Sequence, residues 1–178
     1  MKVCVISFSS RKNGNCTQIG DFVGSMYPDT KRYDFSNFKI NACGQCSYQC
    51  FANGSHCPNA HDKEREMLDA ITSSDLTIFV VPNYCDYPCS NYFVFNERSL
   101  CYFQGNESLV NTYLNVPKKF IVISNSNQDN FRTAFAYQTN EKPKILFLSS
   151  KKYGQKSIDG NLLSSPQAME DLKRFVLN

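Results

Sequence analysis

Val3-Cys4-Val5-Ile6, then Ser7-Phe8-Ser9-Ser10-Arg11-Lys12-Asn13-Gly14-Asn15-Cys16-Thr17, then Ile19, Phe22, Val23 and Met26: this opening stretch decides the fold. The four-residue apolar run reads as a strand buried on both faces. The i, i+3, i+4, i+7 spacing of the last four residues reads as a helix with one apolar stripe. Between them lies a linker of hydroxyls, amides, two cations and a glycine. A strand that runs through such a loop into a helix N-terminus forms an anion site. Its N–H groups point outward, the helix dipole favours negative charge, and short side chains let a phosphate come close. The plainer reading is a polar turn in which Asn15 or Thr17 merely caps the helix.

Outward from this stretch, strand and helix alternate. Residues 32–35 form a weak second strand, and residues 41–59 are polar, cysteine-rich and without period. Met67, Leu68 and Ile71 mark a helix opened by Asp62 and Glu64, charges that suit its N-terminus. Residues 76–81 are the clearest strand, stopped by Pro82. A loop runs over 83–89, and residues 90–103 form an unusually aromatic helix. Residues 120–123 and 145–148 are two more buried strands. Ser165-Pro166 opens a last helix with the stripe Met169, Leu172, Phe175, Val176. Five strands alternating with helices predict an α/β fold, a doubly wound parallel sheet with helices on both faces. Ligands bind such a sheet beyond the carboxyl ends of its strands, where strand order reverses. The loops 9–15, 82–90 and 124–129 are expected to converge there.

The 178 residues are enough to bury a core in one domain, and 42% apolar content excludes a disordered chain. A net charge of +3, with Lys and Arg scattered, argues against nucleic acid. No stretch has the length of a membrane span and no signal segment opens the chain, so a cytoplasmic location is expected. In that setting nine cysteines read as reduced thiols or metal ligands, not as a disulfide framework.

Residues 9–16 resemble the flavin-phosphate loop of the NAD(P)H-dependent FMN reductases, a family with a flavodoxin-like fold. Ser74-Asp75, a strand, then Pro82-Asn83-Tyr84 resembles the family's second flavin loop, and Phe95-Asn96-Glu97-Arg98 resembles the helix motif after it. Cys43-x2-Cys46-x3-Cys50-x6-Cys57 resembles the cysteine segment of the iron–sulfur flavoprotein branch. The likeness runs from Met1 to about Ser124. It implies one FMN-binding domain over 1–178, with the cysteine loop 41–59 inserted. Ser9, Arg11, Asn13, Asn15, Cys16 and Thr17 then take the phosphate end. Pro82, Asn83, Tyr84 and Cys85 border the flavin ring, with Tyr84 or Tyr87 as its wall, and Ser124 lies on the third loop. The family has threonine where Cys16 stands, and a thiolate there would repel phosphate, so Cys16 is expected to be neutral. The third loop also lacks the glycine expected near the flavin edge.

The four cysteines allow an iron–sulfur cluster, a zinc site or free thiols. Around them, His56 and His61 read as plain surface, and Cys101 as a small buried hydrophobe. Cys85 and Cys89 read either as a redox pair beside the ring or as a spacer and a packing residue. The aromatic surplus of the helix over 90–103 predicts a homodimer.

The resemblance implies an FMN-dependent oxidoreductase that accepts hydride from NAD(P)H and passes electrons to a small-molecule acceptor. No side chain need act as acid or base, because the cofactor carries the chemistry. The alternatives are a flavin, or flavin and iron–sulfur, electron carrier without substrate chemistry of its own, and a member that keeps the fold without the flavin.

Overall fold

A computed structural model describes residues 1–44, 46–52, 57–126 and 129–178. β1 (Lys2–Ser7), β2 (Asp29–Asp34), β3 (Leu76–Tyr84), β5 (Lys118–Ile123) and β6 (Lys144–Leu148) form a parallel sheet in the order β2-β1-β3-β5-β6. This is the flavodoxin-like order of doubly wound sheets. The short β4 (Tyr87–Pro88) is antiparallel and pairs with the end of β3, so the sheet is not parallel throughout.

The alternating side chains of the central strands supply two cores. Cys4, Ile6, Phe79, Val81, Phe120 and Val122 face one side. There they meet α2 (Glu64–Thr72), α3 (Ser90–Phe103), α4 (Glu107–Asn115) and α5 (Asp129–Ala136). Val3, Val5, Ile78, Val80, Ile121 and Ile123 face the other side, covered by α1 (Asn15–Gly24) and α6 (Pro166–Leu177). Burial on both faces explains why these strands are uninterrupted apolar runs. The edge strands are less buried, and there the boundaries depart from the expected ones. β2 begins three residues before residue 32, because only its last two residues are buried.

Pro82 does not stop β3. The strand runs on through Asn83 and Tyr84, which pair with Pro88 and Tyr87 across a tight hairpin. Cys85 (φ +52°) and Asp86 (φ +65°) take the two left-handed positions of that turn, the geometry that matches strand twist in two-residue hairpins. The proline sits beyond the parallel ladder of β1, where no N–H is needed. α6 starts as expected, with Pro166 in its first turn and the Ser165 hydroxyl accepting from the Ala168 amide.

Candidate functional site at the carboxyl ends of β1, β3 and β5

Phe8 anchors the loop that leaves β1. Its ring is fully buried and meets Phe35, Phe79, Tyr92 and Phe95 at centroid distances of 5.2–5.7 Å. The Asn91 amide ties the loop to α3, donating to Phe8 O (2.7 Å) and Ser10 Oγ (2.9 Å). Ser9 is buried and its hydroxyl accepts from the Arg11 amide, and Asn13 adopts φ +55°. Gly14 caps α1 in extended geometry. The N–H groups of Asn15, Cys16 and Thr17, at the first turn, have no hydrogen-bond acceptor among the described residues. Such groups make a helix N-terminus attractive to anions.

Two cavities open here. One, of about 150 Å³, is lined by Ser9, Arg11, Asn15, Cys16, Pro82, Asn83 and Tyr84 together with Ser157 and Ile158. The other, of about 230 Å³, is lined by Asn83, Cys85, Asp86, Ser124, Asn125 and Ser126. They share Asn83, Ile123 and Ser157, and their joint size matches a small-molecule site of roughly 300–1,000 Å³. The structure thus brings the three expected loops together. Residues 127 and 128 of the third loop, and His56, lie outside the described residues.

Asn83 is the hub. Its amide donates to Ser124 Oγ (2.6 Å) and Ser126 Oγ (3.3 Å), and its carbonyl accepts from the Asp86 amide (2.8 Å). Tyr84 lines the first cavity although 59% exposed, whereas Tyr87, across the hairpin, lines neither. Cys85 is exposed at the hairpin tip. Cys89 is buried, donates to Phe8 O (3.3 Å), and burial pushes its thiol up to about 11. Both are free thiols, and Cys89 is a packing residue. Cys16 is also buried, which holds its thiol well above the ordinary range and therefore neutral.

A segment that no motif marks completes the site. Residues 155–162 strap across the loop after β1. Arg11 Nη2 donates to Ile158 O (2.5 Å), Asn15 Nδ2 donates to Ser157 O (3.2 Å), and Gln18 Nε2 donates to Gly160 O. The Leu162 amide returns a bond to Asn15 Oδ1 (2.9 Å). Both side-chain polar atoms of Asn15 therefore hold the strap, leaving its backbone N–H for a ligand. The Thr17 hydroxyl bonds back to Arg11 O (3.4 Å). The donor set of free first-turn amides, a guanidinium and a neutral thiol fits a phosphate monoester. The flatter Pro82–Asn83–Tyr84 edge fits a ring.

The four loop cysteines lie elsewhere, against α3. Cys43, Cys46, Cys50 and Cys57 line a cavity of about 20 Å³ with Arg98 and Cys101. Cys101 is half-buried, not a core residue. It lies against Cys57 and Cys50, and burial together with these neighbours pushes its thiol up to about 11. The i,i+3 spacing of Arg98 and Cys101 puts both on one face of the helix. Glu97 Oε1 accepts from the Cys43 amide (2.8 Å). Among the described residues no three His, Cys, Asp or Glu side chains converge closely enough to hold a metal ion. The donor set, five sulfurs without a carboxylate, is one that suits a soft metal centre. His61 is exposed, a surface histidine as expected. Among the described residues no helix is long and apolar enough to cross a membrane.

No family model matches the chain. An iron–sulfur flavoprotein of Clostridioides difficile (strain 630) is 31% identical over 105 residues, 56% of this chain and 46% of that protein. The matched region thus spans about half the length of that curated relative. RosB, solved with the bound intermediate 8-demethyl-8-formylriboflavin-5′-phosphate, superposes with a TM-score of 0.67 at 11% identity, covering 100% of this chain and 77% of RosB. FerB, a flavoenzyme NAD(P)H:(acceptor) oxidoreductase from Paracoccus denitrificans, gives 0.55 at 13% identity, covering 98% of this chain and 94% of FerB. The chain is accordingly a flavodoxin-like α/β protein, sharing its fold with flavin-dependent NAD(P)H oxidoreductases and similar in sequence to an iron–sulfur flavoprotein.

Proposed function

We propose that residues 1–178 form one FMN-binding domain, with the cysteine-rich loop 41–59 inserted, that acts as an NAD(P)H-dependent oxidoreductase of the cytoplasm. The observation that carries this reading is the paired cavity beyond β1, β3 and β5, with free helix N–H groups at one end and the Asn83 hub at the other. The N–H groups of Asn15, Cys16 and Thr17 and the Arg11 guanidinium bind the phosphate. Ser9 and Asn13 shape that loop. Pro82, Asn83, Tyr84 and Cys85 border the ring, and Ser124 orients Asn83. FMN held there would supply the redox chemistry, hydride acceptance from NAD(P)H and electron delivery to a small-molecule acceptor. The protein's own part is to bind, orient and exclude water, and no side chain is assigned as acid or base. A second copy docks on the exposed face of α3, where Phe93 and Leu100 are 45% and 46% exposed.

The test is to incubate the purified chain with FMN or FAD, remove free flavin and record the absorbance spectrum. Retention of about one FMN per chain, not FAD, followed by bleaching on addition of NADH or NADPH, is expected. A chain that retains no flavin would overturn the proposal. Size-exclusion chromatography with light scattering reads the dimer.

A second reading, an electron carrier with flavin and an iron–sulfur cluster, draws on the five-cysteine pocket and the similarity to an iron–sulfur flavoprotein. Bound iron with negligible NAD(P)H oxidation would favour it.

A further inference from the structure

Arg98 is the largest fully buried side chain among the described residues, 1% exposed. Its terminal nitrogens fasten both ends of the cysteine loop. Nη1 donates to Asn41 O (2.7 Å) and Asp62 Oδ2 (2.9 Å), and Nη2 to Asn59 O (3.3 Å) and Asp62 Oδ1 (3.4 Å). Glu64 adds a contact to Nη2 at 3.6 Å. Nε is different: it is buried and has no hydrogen-bond partner among the described residues. A buried charged donor left without an acceptor is costly, so the orphan calls for a partner. Arg98 lines the cavity of the five cysteines. A neutral thiol is a weak acceptor, but a sulfur carrying charge from a metal is a strong one for a guanidinium N–H.

We propose that Arg98 is a positioning residue for an iron–sulfur centre held by the loop cysteines, its Nε–H donating to a ligand sulfur and raising the centre's reduction potential. The inference rests on the reading that these cysteines hold such a centre. Reduction by one electron adds negative charge to the sulfurs, and a fixed N–H beside them stabilises the reduced form more than the oxidised one. The neighbouring Asp62 and Glu64 keep the guanidinium in place and offset part of its charge.

The full chain is reconstituted anaerobically with ferrous iron and sulfide, and iron, acid-labile sulfide and FMN are counted in the same sample. Dye-mediated titration with dithionite gives the midpoint potential. Pulsed EPR of the reduced protein, grown with 15N-arginine, reports nitrogen near the centre, because bound flavin is fully reduced and silent under excess dithionite. The wild type is expected to take up iron and sulfide and to show a 15N coupling. Arg98→Lys, which keeps a cation beside Asp62 and removes Nε–H, is expected to hold equal iron, to lose the coupling and to titrate at lower potential. No iron and sulfide uptake, uptake of zinc alone, no 15N coupling, or an unchanged potential in Arg98→Lys would overturn the proposal. Should Arg98→Lys fail to fold, the wild-type coupling decides by itself. FMN retained without iron would defeat this inference while leaving the flavin reading intact.

Discussion

Replacing Gly160 by alanine tests whether the strap is a working wall of the site. Gly160 has φ +68°, and a Cβ there would lie 2.8 Å from Asn13 O and 3.7 Å from the Gly14 Cα. An L-residue held in the left-handed region costs about 1–2 kcal/mol, and the 2.8 Å contact is against backbone, which cannot swing away as a side chain would. The strap must therefore draw back from the loop after β1, weakening the bonds from Arg11, Asn15 and Gln18. If that strain falls on the site, FMN binding weakens by about fivefold to thirtyfold, since about 1.4 kcal/mol is a factor of ten. The melting temperature falls by about 2–8 °C for a chain of this size. Gly154→Ala is the control. It has φ +67°, carries the same backbone cost, and meets nothing within 4 Å of the added Cβ. Flavin fluorescence quenching gives the dissociation constants, and differential scanning fluorimetry the melting temperatures. Two outcomes would refute the reasoning: equal loss of affinity in both variants, or tighter FMN binding by Gly160→Ala, which would mean that the strap competes with the phosphate.

Arg11→Ala removes a charge-assisted contact to phosphate of about 1.5–3 kcal/mol; isothermal titration should show FMN binding at least about tenfold weaker, and an unchanged constant would place the phosphate elsewhere. Phe8→Ala empties the centre of a ring cluster and should lower stability by about 3–5 kcal/mol in urea unfolding, a loss below about 1 kcal/mol being incompatible with its burial. Burial raises the Glu64 carboxyl from 4.5 to about 7, with Arg98 only partly opposing. The folded chain then holds more protons than the unfolded one between these values, so this stabilisation is complete below pH 4.5 and lost as pH rises through 7. Glu64→Gln should remove that slope, gaining on the order of 1–3 kcal/mol relative to wild type between about pH 5 and pH 8; parallel stability–pH curves for the two proteins would contradict it.

The parts of the fold legible in the sequence are those where burial alone selects the residues. β1, β3 and β5 are covered on both faces, so their runs read as strands without ambiguity. α4 and α5 are less legible because they bury little, one residue (Tyr113) in the first and two (Phe131 and Phe135) in the second. The extension of β3 past Pro82 was hidden for another reason. A hairpin with Cys85 and Asp86 at its left-handed positions lacks the Asn-Gly or Asp-Gly signature that normally announces it.

The site divides along a similar line. The loop after β1 is legible because its chemistry is local: hydroxyls, a cation and a helix start occur within nine residues of sequence. The strap is not, because Arg11, Asn15 and Gln18 reach 142 to 147 residues along the chain and find backbone carbonyls, which any residue offers. Only Gly160 carries a side-chain signal, and a lone glycine in a polar loop commonly serves turn geometry alone. The same holds for Arg98, whose partners Asn41 O and Asn59 O are again backbone. Side-chain identity therefore marks which groups present donors, whereas the tertiary fold decides which donors are already engaged. In Asn15 the two disagree: both polar atoms of its side chain hold the strap, so a ligand at the helix start meets its N–H and not its amide. Affinity for a phosphate at this site then depends on the position of the backbone, and that position is fixed jointly by Phe8 beneath the loop and the strap above it.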